Sequence, residues 1–418
     1  MRLDHKAVAL LVLLVGALVV GAYLLGQSRG GNHAAAVAPG GPAGGSTASS
    51  AASELPPNHP PLDGPVVPTS RPVNGANQPF THFRVGNRNV KSLLVDGNVV
   101  WIATSGGIIR YDTVSDKHTV FDNKVEGILS NGVFHIGKLG DRIVAGTYGG
   151  GLSVLDPKTG KWKNYNIPNG LADQFVYGLL KARNGDVWIA TWSGVNRVRG
   201  GNLDDPDKWD TFTVENTNGG LPNPWVYGLQ EGRNGEMWFA TEDGLARWQA
   251  GKWTHWKHAD GMGAPYDSVK DAIQFTSDPA RYSEHHAQQK AGIGIEDLNV
   301  AYNPNYVISL EVDRQGVVWA GTWGAGLARF DGKEWRNFTT ADGLPANHIF
   351  MLYLDRKGRL WIGTSHGLAR LNDDGQSFTV MTTADGLFAD NVFSMFLGED
   401  KTLWAGSFGG VARITGVD

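Results

Sequence analysis

A short sequence motif recurs seven times along this chain and limits the folds that the chain can adopt. The phrase starts with Trp or Val, reaches Thr or Ser three residues later, and continues through Gly into another apolar run. Its copies read WIATSGGIIR, VAGTYGGGLSV, WIATWSGVNR, WFATEDGLAR, WAGTWGAGLAR, WIGTSHGLAR and WAGSFGGVAR. They start at intervals of 43, 44, 50, 81, 42 and 43 residues, at Trp101, Val144, Trp188, Trp238, Trp319, Trp361 and Trp404. Because a repeat is one structural unit copied, this period determines the architecture.

The period and the local pattern indicate four-stranded propeller blades. In the sixth copy, polar or glycine turns separate the apolar runs HIFMLYLD, LWIGTS, LARL and SFTVMT. Runs of this length, rich in branched and aromatic residues, are typical of strands, whereas helical repeats would show apolar residues at a spacing of about 3.6. The seven copies therefore predict an all-β, seven-bladed β-propeller with four-stranded blades.

The two ends of the repeat region indicate how the ring closes. The predicted fourth strands carry aromatic pairs three residues apart, such as Trp335 and Phe338, but the seventh copy ends after its third strand, near Ile414. Phe80 and Phe83 have the same spacing and precede the first copy. We predict that residues 80–85 complete the last blade, because an open sheet edge would otherwise remain.

Charge and cysteine content exclude several classes of protein. The net charge of −4 and the absence of a Lys/Arg cluster in the repeats argue against nucleic acid as a partner. The chain has no cysteine, which excludes disulfides, thiolate metal sites and a cysteine nucleophile.

The N-terminal residues predict a membrane anchor. Arg2 and Lys6 precede a 19-residue apolar run at 7–25, which is long enough to cross a bilayer. The positive charge before the run favours a cytoplasmic N-terminus and a propeller on the other side. The alternative is cleavage near residues 34–38, which would release a soluble periplasmic protein.

A segment rich in Gly, Ala, Ser and Pro follows the apolar run, and such a composition cannot bury enough apolar surface to fold. We therefore expect a single-pass protein of the inner (cytoplasmic) membrane, with its propeller on the periplasmic or extracellular side. The predicted parts are a transmembrane signal anchor at 1–26, a disordered tether at 27–79 and the propeller at 80–418.

Two stretches resemble a known family: GLPANHIFMLYLDRKGRLWIGTSHGLARLNDDGQSFTVMTTADGL and GLFADNVFSMFLGEDKTLWAGSFGGVARI. Their DGL, Asp-x-x-Gly turn, W-x-G-T and Gly-Leu-x-Arg are similar to the two-component regulator propeller repeat, found in outside-facing sensor domains of hybrid histidine kinases. The resemblance covers nearly the whole chain from residue 80 and implies a propeller that binds a ligand or a partner. Those sensors commonly have two propellers and continue into kinase modules, whereas here we expect one propeller without kinase modules.

Five aromatic residues are candidate binding residues. Twelve of the fifteen tryptophans fit strand positions, but Trp192, Trp225 and Trp323 fall in connections, together with Tyr148 and Phe408. In a four-stranded meander, the turns between second and third strands and the connections between repeats emerge on one face. Rings around a channel mouth can stack on sugars, flat ligands or apolar side chains of a partner. The alternative is that these rings cap the blades and pack on one another.

The doubled interval predicts an insertion of about 38 residues on that same face, at about 257–303. We call this face the insertion face. The segment contributes His258, Glu284, His285 and His286, which are weak candidates for a metal site because imidazole and carboxylate groups ligate zinc, copper or iron. Adjacent histidines on a helix point about 100° apart and do not readily bind one metal together. A solvated loop or a partner-docking lid is the alternative, and we expect no cofactor.

No catalytic motif is visible: the chain has no G-x-S-x-G, Walker loop or Asp-x-Asp-x-Asp calcium loop. His348 and His366 lie on the insertion face near Trp323 and are candidate ligand contacts. Together with the carboxylates of the insertion, they are the residues that could perform acid–base chemistry.

The sequence therefore predicts a membrane-tethered periplasmic propeller that acts as a sensor input or an assembly scaffold. It would bind an envelope protein partner or a small ligand, such as a saccharide, on its insertion face. The alternative is an exported propeller enzyme, such as a lyase, a hydrolase or a metal-dependent oxidoreductase, with its site at the channel mouth, since fold alone does not decide function.

Overall fold

The computed structural model describes residues 79–124, 127–273, 278–281 and 283–417. They belong to one unit of the chain, Leu62–Asp418. The predicted anchor and all but the last residue of the predicted tether lie outside the described residues. In the part of the chain that the structure describes, no helix is long and apolar enough to cross a bilayer.

Within the described residues the strands form six antiparallel sheets, five of them with four strands. The second repeat forms β5 (Val133–Leu139), β6 (Arg142–Thr147), β7 (Leu152–Asp156) and β8 (Lys161–Tyr165). The third forms β9 (Val176–Lys181), β10 (Val187–Thr191), β11 (Gly194–Val198) and β12 (Trp209–Phe212). The fourth forms β13 (Val226–Glu231), β14 (Met237–Thr241), β15 (Gly244–Gln249) and β16 (Lys252–Trp256). The fifth forms β17 (Asn303–Val312), β18 (Val318–Trp323), β19 (Leu327–Phe330) and β20 (Trp335–Phe338). The sixth forms β21 (Ile349–Leu354), β22 (Leu360–Thr364), β23 (Gly367–Leu371) and β24 (Phe378–Met381).

The first and last repeats share the remaining sheet, which has six strands. In sheet order these are β25 (Val392–Leu397), β26 (Leu403–Ile414), β1 (Phe80–Asp96), β2 (Val99–Thr104), β3 (Gly107–Asp112) and β4 (Lys117–Phe121). The all-β propeller with four-stranded blades is thus confirmed, but the count of seven blades is wrong. Seven repeats form six blades, because the long strand β1 pairs with β26 of the last repeat and with β2 of the first, which joins these two repeats into one sheet.

The N-terminal strand closes the ring as predicted. Phe80 to Arg84 pair in register with Ile414 to Gly410, and the later part of β1 pairs with β2. Phe83 stacks on Trp404 with ring centroids 5.6 Å apart, so the strand contributes to the core as well as to the ladder. The first strand of each repeat contacts that of the next, and β25 contacts β1, which completes the circle.

The recurring tryptophans and arginines hold the blades together. The six second-strand tryptophans are at most 5% exposed. An arginine at the end of the third strand lies over each of these rings, with Cζ 5.5 to 5.9 Å from the centroid, as in Arg197 over Trp188. Such cation–π contacts stabilise a half-buried guanidinium, and Arg197 also forms an ion pair with Asp186 at 2.7 Å. These residues therefore belong to the fold rather than to a site.

The DGL phrase is a helix cap that turns the chain from one repeat into the next. In the fifth repeat the Thr339 hydroxyl accepts a hydrogen bond from the Ala341 amide, and the Asp342 carboxylate accepts one from the Thr339 amide. Gly343 takes a φ of 97°, which side chains disfavour, and Leu344 is then buried. The same cap recurs after the sixth repeat at 382–386.

The insertion between β16 and β17 has a small core and two short helices, α1 (Tyr266–Val269) and α2 (Glu284–Gly292). Its buried Val269 and Tyr302 cluster with Ala325 in the turn between β18 and β19. Lys290 of α2 is 4% exposed and forms an ion pair with Asp278 at 2.8 Å. The insertion therefore packs onto the propeller, and its own core and the ion pair of Lys290 hold α2 in place.

Candidate functional site

A β-bulge interrupts the first strand of every repeat at the same position. In β13, for example, Val226 pairs with Thr241 and Gly228 with Ala240, so Tyr227 between them has no cross-strand partner. A bulge turns the side chain of its extra residue away from the normal alternation. The seven bulge residues are Lys91, Phe134, Tyr177, Tyr227, Ile308, Phe350 and Phe393.

All seven bulge residues line one cavity, which we call the axial cavity because its wall takes one residue from each repeat. Its volume is about 470 Å³. The rest of its wall comes from the insertion face and consists of Asn89, Trp192, Trp225, His286, Tyr306 and Trp323. The bulges and the connections between strands therefore converge on a single cavity with a largely aromatic lining.

The aromatic rings of the wall stack on one another. Trp192 and Trp225 are parallel, with an angle of 2° and centroids 4.5 Å apart, and Trp225 in turn stacks on His285 at 3.7 Å. Trp323 stacks on Tyr306 at 5.6 Å. These contacts fix the orientation of the rings, which preorganises the wall before a ligand arrives.

The three connection tryptophans predicted as binding residues thus come together in one cavity. Tyr148, which is 48% exposed, reaches the edge of this cluster and meets Trp192 at 5.8 Å. Phe408 does not line the cavity and instead pairs with Asn89 across the ladder of β26 and β1. The tryptophans both line the cavity and pack on one another. The two alternatives given for these rings, ligand binding and mutual packing, are therefore compatible.

His348 and His366 do not line the cavity either. His348 is 1% exposed, meets the Trp323 ring edge-on and donates from Nε2 to the carbonyl of Ala301 at 2.6 Å. Burial lowers the pKa of His348 to about 4, so it stays neutral. His366 Nδ1 lies 3.0 Å from the Ser365 hydroxyl. His348 therefore supports the Trp323 ring from behind.

Glu242, which follows a repeat threonine, anchors the insertion. Its carboxyl lies 2.8 Å from His285 Nε2 and 3.2 Å from His286 Nε2, and the Tyr227 hydroxyl is 3.4 Å away. Burial raises the pKa of Glu242 to about 8 and lowers that of His286 to about 4, so at neutral pH the acid holds the proton and donates it to His285. The Glu242 side chain has no exposed surface. It therefore positions α2 and does not reach a ligand.

The four weak metal candidates do not converge. His285 and His286 share Glu242, whereas His258 hydrogen-bonds the Met262 carbonyl at 2.8 Å and lines a second cavity of about 590 Å³. Glu284 is exposed on α2 and accepts from Gln288. Among the described residues, no three His, Cys, Asp or Glu side chains are grouped so that they could hold a metal ion.

The repeats identify the family. Residues 170–193, 220–243, 301–324 and 343–366 match the family described as "Two component regulator propeller". The chain contains four matched copies of the two-component regulator propeller repeat. This confirms the resemblance seen in the sequence. Each matched segment contains one bulge residue and ends in the turn between the second and third strands, so this part of the two-component regulator propeller repeat builds the cavity wall. No curated protein matches the sequence.

Solved structures share the fold at low identity. One is the extracellular domain of a protein described as a hybrid two-component system from B. thetaiotaomicron, with 18% identity, a TM-score of 0.59, and coverage of 78% of this chain and 40% of that one. Another, described as a one-component system from the same organism, has 18% identity, a TM-score of 0.56 and coverage of 81% and 40%. The virginiamycin B lyase of Staphylococcus aureus with quinupristin has 14% identity, a TM-score of 0.55 and coverage of 80% and 98%. The chain spans about 40% of the length of the two extracellular domains, and these identities show the fold alone.

Sequence reasoning about the propeller repeat missed most of the axial wall. The residues predicted from the sequence to form the site include none of the bulge residues, nor Tyr306 or Glu242. A signal for the bulge residues does exist: each directly follows the Val or Ile that opens the paired part of the first strand in its repeat. An alignment of the seven copies at that position gives five aromatic residues, one Ile and one Lys.

Proposed function

We propose that this protein is a membrane-tethered sensor whose propeller binds a small ligand in the axial cavity, on the outer side of the inner membrane. One observation carries the proposal: the seven bulge residues and the three connection tryptophans line one cavity. A preformed, mostly apolar cavity with a few polar groups is the usual form of a small-molecule site. Occupancy would serve as the sensor input to an envelope partner.

The location rests on the sequence and on the fold. The predicted anchor at 1–26 and tether at 27–79 would hold the propeller near the membrane, and the absence of cysteine suits an exported protein. Two solved structures with this fold are extracellular domains, one from a protein described as a hybrid two-component system. Both support placing the propeller outside the cytoplasm.

A cavity-filling variant tests ligand binding. The full-length chain is screened by thermal shift against anionic, cationic and neutral small metabolites. Each metabolite that stabilises the wild type is then tested with the Ile308→Trp variant. Ile308 is the smallest bulge residue, so an indole there reduces the cavity volume without removing any ring from the stacked wall. Hits should lose their stabilisation in Ile308→Trp but keep it in Val380→Trp, where the indole is added at a side chain that is 37% exposed. Hits that stabilise Ile308→Trp as well as the wild type would refute the site.

Cell fractionation tests the tether. The full-length chain should sediment with membranes and be digested by protease added to spheroplasts, and deletion of residues 7–25 should leave it in the cytoplasm. A full-length chain that is soluble, or that the protease does not reach, contradicts the proposed location.

A further inference from the structure

Lys91 is the exception among the seven bulge residues. The other six are Phe, Tyr or Ile, whereas β1 places an amine at the same point of the wall. Its Nζ lies 5.0 Å from the centroid of the Phe393 ring. A lysine stem can cover apolar surface while the amine reaches water, and here the stem lines a cavity whose wall includes rings from the six other repeats.

The amine of Lys91 has no acidic partner. No hydrogen bond or ion pair joins it to any residue that the structure describes, and neither Asp nor Glu occurs in the described wall of the axial cavity. Burial alone lowers the pKa of Lys91, with no charged neighbour acting on it. Lys91 is only half-buried, but an unpaired cation beside aromatic rings is less well solvated than in bulk water, and a bound anion would offset that cost.

The other titratable groups of the wall are neutral at physiological pH. Burial raises the pKa of Tyr177, Tyr227 and Tyr306, so their hydroxyls keep their protons. His286 has its pKa lowered to about 4 and is unprotonated. Lys91 is therefore the one group of the described wall that can carry a charge at that pH, and a bound anion would favour its protonated, positive form.

The surface of the wall is mostly apolar, and some of its polar groups are already used. The Trp192 indole donates to the Tyr177 hydroxyl, and the Tyr227 hydroxyl lies against Glu242. Asn89 lines the cavity two residues before Lys91 and offers an amide donor on the same side of β1. A polyhydroxylated sugar needs many hydrogen-bond partners, whereas a planar ring needs only faces to stack on, and this wall provides faces.

We infer that the axial cavity selects a planar aromatic carboxylate, whose ring stacks on the wall and whose carboxylate pairs with Lys91 and Asn89. This rests on the proposed ligand-binding function and adds the charge and shape of the ligand. A charge-assisted hydrogen bond of this kind is expected to favour the anion over a neutral analogue by about 10- to 100-fold.

Matched probes test the inference by quenching of tryptophan fluorescence and by calorimetry. The full-length chain is titrated with 2-naphthoate, with its neutral analogue 2-naphthamide, and with glucuronate, which carries a carboxylate on a sugar ring. Naphthoate should bind the wild type about 10- to 100-fold more tightly than naphthamide, and glucuronate should bind more weakly than naphthoate. Lys91→Met should abolish the preference for naphthoate and leave the binding of naphthamide intact.

A control variant separates the local charge from the net charge. Lys181→Met makes the same change at an exposed end of β9 and should keep the full preference. The inference would be overturned if naphthoate did not bind, or if it bound no more tightly than naphthamide. It would also be overturned if glucuronate bound more tightly than naphthoate, or if the preference for naphthoate survived in Lys91→Met. The proposed function is judged separately, since neutral hits that Ile308→Trp abolishes would leave it standing. Lys91→Met removes an unpaired charge, so it should unfold at the wild-type temperature or above, which shows that any lost preference is not lost folding.

Discussion

Replacement of Glu242 by Gln should remove a pH dependence from the stability of the propeller. The pKa of Glu242 is raised from 4.5 to about 8, because burial disfavours its charged form. Between these values the folded chain keeps a proton that the unfolded chain releases, so the stabilisation is complete below pH 4.5 and is lost as the pH rises through 8. The slope is about 1.4 kcal/mol per pH unit, and integration from pH 5 to pH 8 gives about 3 to 4 kcal/mol.

The histidines that contact Glu242 act in the opposite direction. The pKa values of His285 and His286 are lowered by burial, so the unfolded chain binds protons there that the folded chain does not, and stability is lost as the pH falls below about 6.5. Both histidines remain in Glu242→Gln. Glutamine also keeps the shape of the protonated acid and can still donate to His285. The difference between the two chains at each pH therefore isolates Glu242.

Urea unfolding followed by tryptophan fluorescence at pH 5.5, 7.0 and 8.5 provides the measurement. Relative to the wild type, Glu242→Gln should become more stable with each step in pH, by about 3 kcal/mol in total. Glu284→Gln, an exposed change on the same helix, should follow the wild type at every pH. If wild type and Glu242→Gln lose stability in parallel, Glu242 is not the protonated buried acid described here.

Three further changes test the fold. Lys290→Met leaves the Asp278 carboxylate buried without its partner and should ease opening of the insertion by about 3 to 5 kcal/mol, seen as faster hydrogen exchange at 283–300; unchanged exchange would contradict the role of this pair. Deletion through Phe83 should lower the melting temperature relative to deletion through Gly75, because it removes the strand that closes the ring; equal values would refute closure. Gly326→Ala should destabilise by about 1 to 3 kcal/mol, since the φ of 79° is strained for alanine and the new methyl would meet the carbonyl of the neighbouring strand; an unchanged melting temperature would contradict this.

The repeat predicted the strands because their causes are local. Apolar runs and glycine turns recur in each copy, and the aromatic pair of the fourth strand recurs in four of them. Phe80 and Phe83 could be recognised from that spacing alone. The number of sheets, in contrast, is not determined by the local sequence. It depends on β1 pairing with β26 as well as with β2, and the pairing of β1 with β26 joins residues more than 300 positions apart. Counting copies gives the number of repeats, but the number of blades follows from where the strands end.

The candidate site was predictable only in part. Trp192, Trp225 and Trp323 could be found because strand positions accounted for the other tryptophans. Tyr177 and Tyr227 could not, because a shift of one residue in register reverses which side of a strand a side chain occupies. The bulge supplies that shift, and single-sequence periodicity does not reveal it.

The bulge also separates what the repeat must keep from what it can vary. The Val or Ile before each bulge is buried and pairs with the Thr or Ser of the second strand, so that position belongs to the fold. The register shifts at the bulge residue, whose side chain lines the axial cavity, so we expect its replacement to leave the ladder unchanged. Seven such positions surround one cavity and can change independently of the blades that hold them. A single lysine among six uncharged bulge residues can therefore change the charge of the cavity without changing the strand pairing of the blades.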